Sequence, residues 1–204
     1  DMHTNISYIY YGGTAETLGI ARKGDNQNLE SIWEKEVFKY IHPDDLVEKY
    51  VQELRFYHFL KQIPHKKRAD YFLMSKLRMR DPSGKYIPIL HRMFYVATHS
   101  NDSMWLALCL YNLSVDPTMS CRVINSTNGQ VIELEKQDCS KLLSDREKTI
   151  LQLIDMGKTS HEIARELFIT QNTVSRHRQN ILEKLQVKNS IEACRIAKEL
   201  KLLF

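Results

Sequence analysis

The chain has 204 residues, 43% hydrophobic and 26% charged, so it holds one large or two small domains and can bury ordinary cores. No run approaches the roughly 18 consecutive apolar residues of a membrane-spanning helix, and the start, Asp1-Met2-His3-Thr4-Asn5, lacks the basic end and apolar stretch of a secretory signal. The net charge is +4, and from Lys141 onward 12 Lys/Arg face 8 Asp/Glu, so the whole excess sits in the last third. That asymmetry points to a polyanion partner for the tail and a different task for the rest.

Cys109, Cys121, Cys139 and Cys194 form no C-x-x-C pair and match no zinc spacing. Four reduced thiols in a cytoplasmic protein are expected, with no metal, no membrane partner and no cofactor indicated.

In chain order, residues 6–11 and 17–21 read as two short strands around Gly12-Gly13, and residues 28–40 as a helix. Residues 43–60 read as a second helix, with Pro43 at its first position, Asp44 and Asp45 in its first turn, and Leu46, Tyr50, Leu54 and Tyr57 on one stripe. Residues 71–79 alternate, Tyr71, Leu73, Leu77 and Met79 facing one way and Lys76 and Arg78 the other, as in a half-buried strand. The turn Asp81-Pro82-Ser83-Gly84-Lys85 leads into a long strand, 86–98, where Pro88 suggests an edge or a bulge. After a turn at His99-Ser100-Asn101-Asp102, residues 104–113 are apolar on both faces, which suits a central strand covered on both sides. A last hairpin, 121–125 with 130–134, turns at Asn128-Gly129, a type I′ signal, and residues 135–143 read as a linker.

The tail reads as four short helices. Ser144-Asp145-Arg146-Glu147 fits a capping box ahead of Ile150, Leu151, Leu153 and Ile154, and Gly157 ends that helix. A short helix at about 160–167 buries Ile163, Ala164 and Leu167. Thr170 then caps a longer helix at about 171–185, with Val174, Ile181, Leu182 and Leu185 on one stripe. Asn189 or Ser190 caps the fourth, in which Ile191, Ala193, Cys194, Ile196, Ala197 and Leu200 recur at helical spacing.

A short helix, a tight turn and a longer helix bearing cations make a unit that reads DNA. Thr170 and Thr173 stand at the start of the third helix, whose amides and dipole favour phosphate. Ser175, Arg176, His177, Arg178 and Gln179 supply donors on or near one face, Arg176 suited to guanine and Gln179 to adenine. Lys184 and Lys188 lie further along and suit phosphates.

The motif Leu143-Ser144-x-Arg146-Glu147, Leu151-x-Leu153-Ile154-x-x-Gly157, Glu162-Ile163-Ala164, Leu167, Ile169-Thr170-x-x-Thr173-Val174, His177, Ile181, Lys184-Leu185 and Val187 resembles the LuxR-type (GerE/FixJ-like) helix-turn-helix over about 60 residues. The resemblance implies a four-helix domain that reads double-stranded DNA in the major groove as a homodimer, its fourth helix pairing with its twin. Ile191, Cys194 and Ala197 are the residues expected at that pairing. Ser175 stands where the family often has Lys, so the preferred DNA sequence is not transferable from a relative.

Residues 1–115 resemble a PAS domain in the segment Tyr40-Ile41-His42-Pro43-Asp44-Asp45 and in the strand-turn-strand from Leu77 to Tyr86. The resemblance implies a five-stranded antiparallel sheet with helices on one face, and a small-molecule ligand or a protein partner there. His42, His58, His65, His91 and His99 are available to a haem, but none sits in a pattern that singles it out, and no flavin-photosensor cysteine motif stands near the second helix. Tyr8, Trp33, Tyr50, Phe56, Tyr95 and Trp105 line a pocket or simply fill a core. Asp44-Asp45 begins a helix and does not follow a strand, unlike the acidic pair of a phosphoreceiver, and no phosphate loop, H-E-x-x-H or nucleophile elbow supports an enzyme.

The expected architecture is therefore α+β: a PAS-like sensor or dimerisation domain at 1–134, a linker at 135–143, and an all-α helix-turn-helix domain at 144–204. The expected function is sequence-specific transcription regulation. The alternative is a DNA-binding regulator controlled by protein–protein interaction through a ligand-free first domain.

Overall fold

The structure, a computed structural model, describes residues 1–99, 103–114, 121–134, 142–200 and 202–203. The chain divides into two compact units, residues 1–134 and 135–204. The α+β expectation holds: an antiparallel sheet with helices makes the first unit, and four helices make the second. No helix among the described residues is long and apolar enough to cross a membrane.

Five strands of the first unit, β3 (Tyr71–Arg80), β4 (Tyr86–Thr98), β5 (Met104–Leu113), β6 (Arg122–Asn125) and β7 (Val131–Ile132), form one antiparallel sheet in the order β5-β4-β3-β6-β7. The 19-residue helix α3 (Pro43–Lys61) covers one face. Its Phe56, Tyr57 and Leu60 pack with Leu73, Met93, Tyr95, Met104 and Val123 into the core. Pro43 at the first position, Asp44 and Asp45 in the first turn, and a His42 side chain that accepts from the Asp44 amide explain why α3 begins where it does. Asp45 then grips Arg78 on β3, with Oδ1 2.6 Å from Nη2 and Oδ2 2.9 Å from Nε. This ion pair ties together the two segments that carry the PAS resemblance.

Four expectations for this unit are corrected. Residues 17–21 are not a strand: Gly13–Thr17 form a single helical turn, α1, which Gly19 ends in the left-handed region (φ 65°). Residues 28–40 are not one helix. β1 (Ser7–Tyr10) captures β2 (Asn26–Leu29) as an antiparallel ribbon outside the main sheet, leaving only Lys35–Phe38 helical, as α2. Strand pairing outweighed a weak helical period there. β5 is not central but an edge strand, and Trp105, Leu108 and Leu113 remain exposed, because an apolar run fixes strand character and not strand position. At the last hairpin Gly129 alone has positive φ, and its amide reaches the Asn125 carbonyl, so the turn is a four-residue loop and not type I′.

Pro88 lies inside the sheet, between β3 and β5, and the register shifts come at the other end of β4, between Tyr95 and Thr98. The proline is tolerated because it sits where the β4–β5 ladder ends, its carbonyl accepting from the Ser114 amide. Of the six aromatic candidates, Tyr50, Phe56 and Tyr95 are buried in the core, whereas Tyr8 and Trp105 are at the surface. Cys109, Cys121 and Cys194 are free thiols. The turn at 100–102, Cys139 and linker residues 135–141 lie outside the described residues.

In the second unit, α4 (Asp145–Asp155), α5 (Ser160–Glu166), α6 (Gln171–Leu185) and α7 (Ser190–Glu199) surround a core of Leu143, Ile150, Leu151, Ile163, Val174, Ile181, Leu185, Ala193, Ile196 and Ala197. Truncating Ile163 or Ile181 to alanine costs about 2–5 kcal/mol, the range for a fully buried branched side chain. Leu143, expected in the linker, is 1% exposed and belongs to this core.

Candidate nucleic-acid interface

Each helix of the second unit is started by a side chain the sequence supplies. Ser144 and Glu147 form a reciprocal capping box on α4, and Thr159 and Glu162 form another on α5. Thr170 Oγ1 accepts from the Thr173 amide at 3.1 Å to begin α6, and Asn189 Oδ1 accepts from the Glu192 amide at 2.9 Å to begin α7. Gly157 (φ 81°) closes the end of α4. Between α5 and α6 the chain turns through Phe168, which sits in the left-handed region (φ 53°) with its ring 94% exposed. Arg146 Nη2 donates to the Leu167 carbonyl at 3.0 Å and fixes this turn against α4.

Helix α6 buries Val174, Ile181 and Leu185. At about 100° per residue, Asn172, Arg176 and Gln179 fall on the opposite side, with Ser175 at its margin, and all four are exposed. The face therefore offers an amide, a guanidinium, a second amide and a hydroxyl between Asn172 and Gln179. The amide end of α6 lies beside them, favourable to an anion.

The structure separates the nine DNA candidates. Ser175, Arg176 and Gln179 share the exposed face, and Thr170 and Thr173 stand at its amide end, their hydroxyls 2.9 Å apart. Lys188 is exposed beyond the end of α6. The other three do not join that face. His177 is half-buried beside the core. Arg178 donates from Nη1 to Ser160 Oγ and from Nη2 to Ser190 Oγ, both at 3.0 Å, bridging the first turns of α5 and α7. Lys184 Nζ reaches Glu147 Oε2 at 2.7 Å. Burial alone would raise the Glu147 pKa, but the hydrogen bonds from Lys184 and Ser144 outweigh it and hold the carboxyl below its ordinary range.

Sequence reasoning passed over Asn172, which shares the exposed face. Its four- and seven-residue spacing to Arg176 and Gln179 was the available signal.

The three dimerisation candidates are also separated. Ile191 is 85% exposed, but Cys194 is 7% exposed, its Sγ 3.9 Å from the Leu151 carbonyl, and Ala197 is fully buried. The expectation that Cys194 and Ala197 lie on a free face is corrected: α7 spends that stripe packing on α4, which a domain this small needs for its own core.

The family model of the bacterial regulatory proteins of the luxR family matches residues 141–197. The spore germination protein GerE of Bacillus subtilis is 45% identical over 60 residues, which are 29% of this chain and 81% of that protein. The chain belongs to the LuxR family. The family model's match lies within the second unit. The transcriptional regulatory protein DesR of Bacillus subtilis is 53% identical over 57 residues, 28% of this chain, and the match spans only 29% of DesR. A crystal structure of Escherichia coli SdiA aligns over 73% of this chain and 91% of that one at 16% identity, with a TM-score of 0.31. The matching family is one of bacterial regulatory proteins.

Proposed function

We propose that the chain is a sequence-specific DNA-binding transcription regulator that places α6 in the major groove. The observation that carries this reading is the exposed face of α6, where Ser175, Arg176 and Gln179 are held clear of the core while Val174 and Ile181 anchor the helix. Arg176 holds guanine by its fork and Gln179 reads adenine. Ser175, Thr170 and Thr173 position the backbone, together with Lys188 beyond the helix end. Arg178 and Lys184 serve the domain instead, because their charged ends already have partners. The regulator works in the cytoplasm and binds DNA as a homodimer, with Ile191 at the pairing surface.

Residues 1–134 act as a PAS-like sensor or dimerisation domain. The support is the five-stranded antiparallel sheet covered by α3 and the Asp45–Arg78 pair that joins the two resembling segments. Control by a protein partner has its own support in the apolar edge strand β5, with Trp105, Leu108 and Leu113 at the surface.

The test is recovery and sequencing of genomic fragments bound by the purified full chain. The reading predicts a shared motif of two related half-sites. Uniform coverage of the genome overturns it.

A further inference from the structure

Beneath α3, on the inner face of the sheet, lies a polar group that the DNA reading does not use. His91 on β4 is fully buried. It pairs in register with Tyr111 of β5, and Met93 pairs with Cys109, so His91 and Cys109 are diagonal neighbours on one face. Glu53 comes down from α3, with Oε1 3.5 Å from His91 Nε2. A ligand atom of Glu53, one of His91 and one of Cys109 all lie within 4.8 Å of one another, the one such trio among the described residues.

We propose that Glu53, His91 and Cys109 form a binding site for a borderline-soft divalent cation of the zinc class. The geometry of His91 carries the inference. Ser75 Oγ lies 3.2 Å from its Nδ1, whereas its buried Nε2 has no hydrogen-bond partner. In the tautomer that donates from Nδ1 to Ser75, the Nε2 lone pair is free to ligate, and a cation between it and the Glu53 oxygen bonds both. Burial and the nearby Lys49 charge keep the imidazole neutral, which is its metal-binding form. Mixed sulfur, nitrogen and oxygen donors suit zinc, with bonds of about 2.0–2.3 Å and hence donors about 3.5 Å apart. The His91–Glu53 separation already has that value, and Cys109 Sγ lies within 4.8 Å of both.

Lys49 Nζ lies 2.7 Å from the same Glu53 Oε1, so the pair is neutral before a cation arrives. A divalent cation binds with loss of the Cys109 proton, because the thiolate and not the thiol is the ligand. The site lies wholly within the first unit and does not depend on the DNA reading.

The experiment is a Co2+ titration of the tag-free full chain, stripped with chelator under reducing conditions, followed by displacement with Zn2+. One Co2+ per chain with tetrahedral visible bands and a thiolate-to-cobalt charge-transfer band is expected, and Zn2+ removes both. Cys109→Ser abolishes the charge-transfer band while Cys121→Ser keeps it. Ser75→Ala, which touches no donor atom, weakens binding by about tenfold or more. Absence of the charge-transfer band in the wild-type chain overturns the proposal whatever the variants do, as does its survival in Cys109→Ser.

Discussion

Glu147 Oε2 accepts from the Ser144 amide at 2.8 Å and from Lys184 Nζ at 2.7 Å, so one buried carboxylate both caps α4 and holds α6. The contact explains why a lysine near the end of α6 is turned towards its own domain. Lys184→Met should lower stability by about 1 kcal/mol, a modest figure because the ammonium end is partly exposed and screened by solvent. DNA sequence preference should not change.

The same pair sets an acid limit. The folded Glu147 pKa is depressed, so its contribution is complete above the unfolded carboxylate value of about 4.3 and is lost as pH falls through the folded value. Denaturant unfolding of the full chain between pH 7 and pH 3 should show a shallower acid decline in Lys184→Met than in the wild type. Parallel declines would assign the acid sensitivity to other carboxylates.

Arg178 and Arg176 are two residues apart on α6 and should behave oppositely. Arg178→Lys cannot bridge Ser160 and Ser190 with a planar fork and should cost about 1–2 kcal/mol of stability. Its selected DNA motif should match the wild type. A changed motif with unchanged stability would place Arg178 in the groove.

Most of the second unit was legible because its signals are local. Ser144 with Glu147, Thr170, Asn189 and Gly157 each sit within one turn of the group they satisfy, so the helix boundaries followed from the sequence. The partners of Arg178 and Lys184 are 18, 12 and 37 residues away, beyond the reach of spacing arguments. Cys194 and Ala197 were misread for a related reason: an apolar stripe is the same whether it meets α4 or a second chain. In the first unit, β5 showed its apolar character but not its edge position, and β2 was hidden under a helical period that its pairing with β1 overrode. The Glu53, His91 and Cys109 trio comes from one helix and two strands, so no sequence motif contains it.

Phe168 holds a left-handed conformation that costs a side chain bearing Cβ about 1 kcal/mol, with nothing recovered by a ring that stays 94% exposed. Phe168→Gly should raise stability by up to about 1 kcal/mol, and Phe168→Val should lower it. The midpoint of denaturant unfolding decides, and a loss of stability in the glycine variant would show that the ring makes contacts of value.

On α7, the proposed pairing surface and the packing face fall on different residues. Ile191→Glu should leave the fold intact and weaken binding to DNA with two half-sites more than to DNA with one. Cys194→Glu should unfold the domain instead, because it places a charge against the Leu151 carbonyl. Equal losses on both DNAs for Ile191→Glu would remove α7 from the dimer contact.

The orientation of α6 on DNA is read out by a binding selection on randomised DNA, run with the wild type, Arg176→Ala and Lys188→Ala. Arg176→Ala should lose about 1–3 kcal/mol on the preferred site and relax one or two base pairs of the motif. Lys188→Ala should keep the motif, weaken all sequences alike and lower the salt slope by about one. An unchanged motif in Arg176→Ala together with an altered one in Lys188→Ala would contradict the orientation and the site built on it.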